Sequence, residues 1–119
     1  MIIAFTTSGD TIDSPLDSRF GRAPKFIILD TADDNIRVID NTQNLNAVQG
    51  AGLQSAQNVI NAGATIVITG HTGPKAFNLL TSMNVEVYCS DSPTVKDAYD
   101  AFKNGTLKRA DSADVESHW

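Results

Sequence analysis

Two glycine-punctuated segments carry the residue types best suited to holding a ligand. Arg19-Phe20-Gly21-Arg22 sets two guanidinium groups around a glycine, and Gly70-His71-Thr72-Gly73 sets an imidazole in a turn that runs into Pro74. Planar guanidinium groups clamp anionic groups or close onto carboxylates, and Asp13 and Asp17 are near enough in sequence for the second use. A glycine-bearing turn that opens a helix exposes main-chain N–H groups and the positive end of the helix dipole, which favours an anion. Pro74 removes one of those donors. A plain β–α turn explains the same glycines, and a loop histidine more often makes hydrogen bonds than ligates metal. Gly50-Ala51-Gly52 repeats the pattern at a second helix start. It lacks the third glycine and the clean preceding strand of a dinucleotide fingerprint. Brought together, these segments would form a small pocket of cationic side chains, N–H donors and one imidazole, suited to an anion.

The elements that must position them are legible from periodicity. Ile2–Thr6 is a first strand, and Thr7–Ser18 is a loop rich in Ser, Thr, Asp, Gly and Pro. Lys25–Asp30 holds Phe26-Ile27-Ile28-Leu29 in a row, as in a strand buried on both faces. With the Asp33-Asp34-Asn35 turn and Ile36–Asp40 it predicts an antiparallel hairpin. Asn41–Gln49 is polar and aperiodic, and is expected to be a mobile connection. Ala51–Ala62 predicts a helix with Leu53, Ala56, Val59 and Ile60 inward. Thr65–Thr69 is a β-branched strand, and Pro74–Met83 a helix with Phe77, Leu80 and Met83 inward. Val85–Ser90 is a strand, with Cys89 at its end. A third helix runs to Lys103 from an N-cap at Ser92 with Pro93 at N1. From Thr106 onward the chain is polar and expected to fray, so residues 1–107 form one domain and 108–119 a tail. The order β-β-β-α-β-α-β-α predicts an α/β fold. It is a mixed five-stranded sheet, order 3-2-1-4-5, with three helices, the ribonuclease-H-like arrangement.

Composition narrows the function. The 119 residues carry 14 acidic and 9 basic side chains, a formal net charge of −5, which argues against nucleic acid or an acidic membrane as partner. A single cysteine excludes an internal disulfide and an all-thiolate zinc or iron–sulfur site. The start, Met1-Ile2-Ile3-Ala4-Phe5, lacks a basic n-region, and the chain is expected to be cytoplasmic. Ribonuclease-H-type nucleases need several carboxylates around two metals, and Ile2–Thr6 carries none. There is no P-loop, no zinc-spaced cysteine pair and no Ser-His-Asp arrangement, so the chain is not expected to be an enzyme. His71 acting as an acid or base would lack an orienting carboxylate at a readable spacing.

The motifs together resemble the nitrogenase iron–molybdenum cofactor biosynthesis accessory family, the NifX-type and NifB C-terminal-type domains. The resemblance runs through Asp17-Ser18-Arg19-Phe20-Gly21-Arg22-Ala23-Pro24-Lys25-Phe26, Gly50-Ala51-Gly52-Leu53-Gln54 and Val67–Phe77, and continues through Val85–Tyr88 and Thr94–Ala98. It implies a non-enzymatic carrier of a molybdenum-containing metal–sulfur cluster, with iron or copper as second metal. A similar stand-alone relative is the orange protein of sulfate-reducing bacteria, which holds a molybdenum–copper–sulfide cluster noncovalently. The site residues it implies are Arg19, Phe20, Gly21, Arg22, Gly50, Ala51, Gly52, His71, Thr72 and Gly73, with His71 as the metal ligand. Many relatives have a histidine just before the Gly-Ala-Gly start. Here Ala47-Val48-Gln49 stands there, so noncovalent capture fits better than a multi-residue ligand set. The alternative is an interaction module that has lost the cluster and binds a cluster-assembly protein or an ATPase.

Overall fold

The computed structural model describes residues 1–42 and 50–113. The strands are β1 (Ile2–Thr7), β2 (Lys25–Asp30), β3 (Asn35–Asp40), β4 (Ile66–Thr69), β5 (Glu86–Cys89) and β6 (Lys108–Arg109). The helices are α1 (Ala51–Asn61), α2 (Pro74–Ser82) and α3 (Val95–Lys103), with a one-turn 3₁₀ segment at Phe20–Arg22. One mixed sheet runs in the order β3-β2-β1-β4-β5-β6. β1 is antiparallel to β2 and parallel to β4, and β4 is parallel to β5. This is the predicted ribonuclease-H-like order with one strand added.

The apolar runs are continuous because both faces of the central strands are covered. Ala4, Phe26, Ile28, Val67 and Val87 pack with Ala56, Val59, Phe77 and Leu80 of α1 and α2. Ile3, Phe5, Ile27, Leu29, Ile66 and Ile68 pack with Val95 and Ala98 of α3. The β2–β3 hairpin closes as the turn residues predict, Asp34 taking φ 58° and the Asp33 carboxylate accepting from the Asn35 N–H at 3.0 Å.

Several boundaries and faces differ from the sequence expectation. β6 pairs antiparallel with β5, Cys89 opposite Lys108 and Tyr88 opposite Arg109, so the chain does not fray from Thr106. Arg109 also meets Glu86 at 3.3 Å. Polarity there marks an edge strand, not disorder. The cap of α3 is Thr94, whose Oγ1 accepts from the Asp97 N–H at 3.1 Å. Ser92 instead turns with Ser90, their hydroxyls 2.8 Å apart, while the Pro93 carbonyl accepts from the Leu16 N–H. Leu53 and Met83, expected inside, are 39% and 54% exposed. The buried stripe of α1 runs through Ala51, Ser55, Ala56 and Val59, and α2 ends at Ser82 before Met83. Of the expected mobile connection, Asn41 is fully buried, and residues 43–49 lie outside the described residues. No helix among the described residues is long and apolar enough to cross a membrane.

Two tyrosines tie α3 and β5 to charged edges. Tyr88 packs edge-on against Phe102 and donates to Glu86; Tyr99 packs edge-on against Phe5 and donates to Asp34. Burial first, then the adjoining carboxylate, pushes both phenols above their ordinary value. The folded state therefore holds these protons more tightly than the unfolded chain. Their contribution is intact below the unfolded-chain value of about 10 and is lost as pH rises through the raised folded values. Urea midpoints measured from pH 8 upward should fall above about pH 10, and the fall should be shallower in Tyr99→Phe.

Candidate functional site

The two motif loops meet at the C-terminal ends of β1 and β4, the edge where open α/β sheets hold ligands. The chain after β1 doubles back along it: the Asp17 N–H donates to the Thr6 carbonyl at 2.8 Å, and the Thr6 hydroxyl donates to the Asp17 carbonyl at 2.6 Å. The Thr6 and Thr69 hydroxyls, buried at the ends of β1 and β4, lie 2.8 Å apart. This return carries Ser18 against Gly70. The His71 N–H donates to the Ser18 carbonyl at 2.8 Å, and the Phe20 N–H donates to the His71 carbonyl at 3.1 Å. Arg19 and His71 thus stand side by side in a parallel bridge. A Cβ at Gly70 would lie 2.6 Å from the Ser18 carbonyl oxygen and 2.7 Å from its Cα, so glycine is there for close approach of two backbones.

The arginines differ in setting. Arg19 is exposed, its Nε 4.0 Å from Asp17, whose carboxylate also accepts from the Arg19 N–H at 2.9 Å. Arg19 thus closes on Asp17 in part, at the outer limit of an ion pair. Arg22 is half-buried at the end of the 3₁₀ turn. Between them Phe20 is 1% exposed and packs on Phe26, ring centroids 5.6 Å apart, anchoring the turn in the core.

The helix starts converge on the same end. Gly50 caps α1 with φ 80°, a conformation that favours glycine. A Cβ on Gly52 would come within 3.3 Å of the Ala76 Cβ, so the first turns of α1 and α2 abut. Gly73 caps α2, with Pro74 in its first turn. Phe20, Ala51 and Thr72 have buried side chains, and Gly21 and Gly73 are buried too. What such positions can offer a ligand is chiefly main chain.

His71 is exposed and lines an open cavity of about 470 Å³ together with Ser18, Gly70, Cys89, Ser90 and Asp91. Cys89, which the sequence puts at the end of its strand, lines the same cavity as His71. Among the described residues no group of three or more His, Cys, Asp or Glu side chains could hold a metal ion. The edge thus offers cations, N–H groups, hydroxyls and one imidazole rather than a coordination sphere. Two residues the sequence left unmarked support it: Asn41 and Ser55, both buried, bond to the main chain around Arg22. Their only signal was a polar residue in a strand-end or helix-core position.

Comparison with known proteins adds the following. A family model described as "Dinitrogenase iron-molybdenum cofactor" matches residues 1–105. The apo form of the orange protein from Desulfovibrio gigas is similar with 33% identity and TM-score 0.92 over 96% of each chain. A Thermotoga protein named for NifB and placed in the DUF35 family is similar with 32% identity and TM-score 0.85 over 97% of each chain. An uncharacterized protein of Methanocaldococcus jannaschii is 29% identical over 97 residues, 79% of this chain and 81% of that protein.

Replacing Gly70 by alanine should separate the two loops, because the obstructing atoms are backbone. We expect a loss of about 1–3 kcal/mol in urea unfolding, with the His71 and Phe20 amides exchanging faster. Unchanged stability and exchange would contradict the clamp.

Proposed function

The chain belongs to the dinitrogenase iron-molybdenum cofactor family, and from that premise we propose that it is a non-catalytic carrier for an anionic molybdenum–sulfide cluster with iron or copper as second metal. The observation that carries the proposal is the main-chain pairing of the arginine loop with the Gly70–Gly73 loop. It sets Arg19 beside His71 at the sheet edge of an otherwise acidic protein, with Arg22 at the end of the adjoining turn. The similarity to the orange protein over 96% of both chains supports the same reading.

The cluster is cargo, and its capture is electrostatic. Guanidinium groups offset its negative charge, and main-chain N–H groups of the Gly50–Gly52 and Gly70–Gly73 turns donate to sulfide. His71 donates to a sulfur or ligates a metal at the cavity mouth. Arg22 is the better placed of the two arginines, since partial burial lowers the screening that weakens an exposed charge. The absence of a three-ligand set among the described residues suits a cluster that arrives preformed and leaves intact. Any protein partner would then be one that makes or receives such a cluster.

Titration of the metal-free protein with tetrathiomolybdate, alone and with copper(I) or iron(II), tests this. Arg22→Ala with His71→Ala should weaken uptake by about tenfold or more at low salt, the scale of one or two charge-assisted hydrogen bonds. The difference should narrow as salt is raised. Equal uptake by the double variant and the parent would sink the assignment.

A further inference from the structure

The inference rests on the function proposed above and concerns a residue outside the motif loops. We propose that Asn41 is a positioning residue for the anion site, holding the Arg22 turn and α1 as one rigid unit. Its side chain and backbone meet both elements. The Asn41 Nδ2 donates to the Ala23 carbonyl at 2.8 Å and to the Ser55 hydroxyl at 3.0 Å. The Asn41 N–H donates to the Pro24 carbonyl at 2.7 Å. Its Oδ1 accepts from Asn58 Nδ2 at 2.9 Å, and Ser55 Oγ donates to the Gly21 carbonyl at 3.5 Å. Ser55 and Asn58 both belong to α1.

The carbonyls that follow Arg22, those of Ala23 and Pro24, are thereby tied to Asn41, and the Ser55 hydroxyl lies near the Gly21 carbonyl. This matters because the turn is short. It is one 3₁₀ turn, in which the Arg22 N–H donates to the Arg19 carbonyl at 3.3 Å, and 3₁₀ bonds have poor geometry. Phe20 fixes the start of the turn in the core and β2 begins only at Lys25. The peptide units between are oriented by the Asn41 and Ser55 bonds. Orienting a carbonyl fixes the backbone torsion beside it, and so the direction in which Arg22 leaves the chain. Asn41 and Ser55 are fully buried, where a connected polar network specifies one arrangement and a broken one leaves costly orphans. Through Ser55 and Asn58, both bonded to Asn41, the network sets the spacing between the Arg22 turn and α1. A site that works by aiming a cation and N–H groups at one anion depends on that spacing.

A residue that acts through Arg22 must lose its effect when Arg22 is gone. The test is a double-mutant cycle on full-length protein, reading tetrathiomolybdate affinity for the parent, Asn41→Ala, Arg22→Ala and both together. Asn41→Ala should weaken binding by about fivefold or more in the parent and by less than about twofold in the Arg22→Ala background. Amide exchange in the ligand-free Asn41→Ala variant should rise at Gly21, Arg22 and Ala23 and stay unchanged in β1 and β4. If Asn41→Ala fails to fold, Ser55→Ala, which deletes one hydroxyl, should give the same coupling to Arg22→Ala at smaller size. Additive losses, or a folded variant with unchanged affinity, overturn the positioning role and leave the function standing. A parent protein that takes up no tetrathiomolybdate overturns the function and this role together.

Discussion

The arrangement depends on one short stretch of main-chain pairing. Ser18 and Phe20 bond to His71 on its two sides, extending the parallel sheet beyond the end of β4 by one bridge. That bridge joins a loop following β1 to a loop following β4, and every candidate ligand contact lies on one or the other or on the helices they abut. It forms because Gly70 has no side chain, as any Cβ there would occupy the place of Ser18 backbone atoms. It is supported from below by Thr6 and Thr69, whose buried hydroxyls meet between the strand ends. Backbone pairing is an economical way to fix loops, since it costs no long side-chain entropy.

A net charge of −5 makes the chain as a whole unattractive to anions. The local balance is different. Arg19 and Arg22 bracket one turn, while the Asp17 carboxylate accepts from the Arg19 N–H. Small residues make the convergence geometric as well as electrostatic: Gly52 against Ala76 lets the first turns of α1 and α2 abut. Buried amides then do for the arginine turn what the bridge does for the histidine turn. The result is rigid on both sides, which suits capture of a preformed anion without a coordination sphere.

The fold was largely legible because periodicity and turn chemistry agreed. Four consecutive apolar residues at Phe26–Leu29 signalled a strand covered on both faces, and Asp33-Asp34-Asn35 signalled the hairpin. What escaped had physical causes. β6 has only two residues, both charged, so its pairing with β5 left no pattern. Ser92-Pro93 carries a strong cap signature, yet Pro93 is engaged in extended pairing with Leu16 and the cap passes to Thr94. Asn41 follows a strand and precedes a polar stretch, which reads as loop; its buried side chain is held by long-range bonds to Ala23, Ser55 and Asn58. Of the candidate site, the two arginines, the glycines and His71 were visible as motifs. Their adjacency was not, because it rests on a bridge between residues some fifty positions apart in sequence, and neither was the cavity that joins His71 to Cys89.

The central claim is that the protein carries a molybdenum–sulfide cluster, and the direct measurement is metal analysis with a visible absorption spectrum on protein purified without oxygen from its native host. The account predicts stoichiometric molybdenum, a second metal, and strong sulfide-to-molybdenum charge-transfer bands that vanish with the metal. A colourless, metal-free protein that also rejects reconstitution with tetrathiomolybdate plus copper or iron would contradict it.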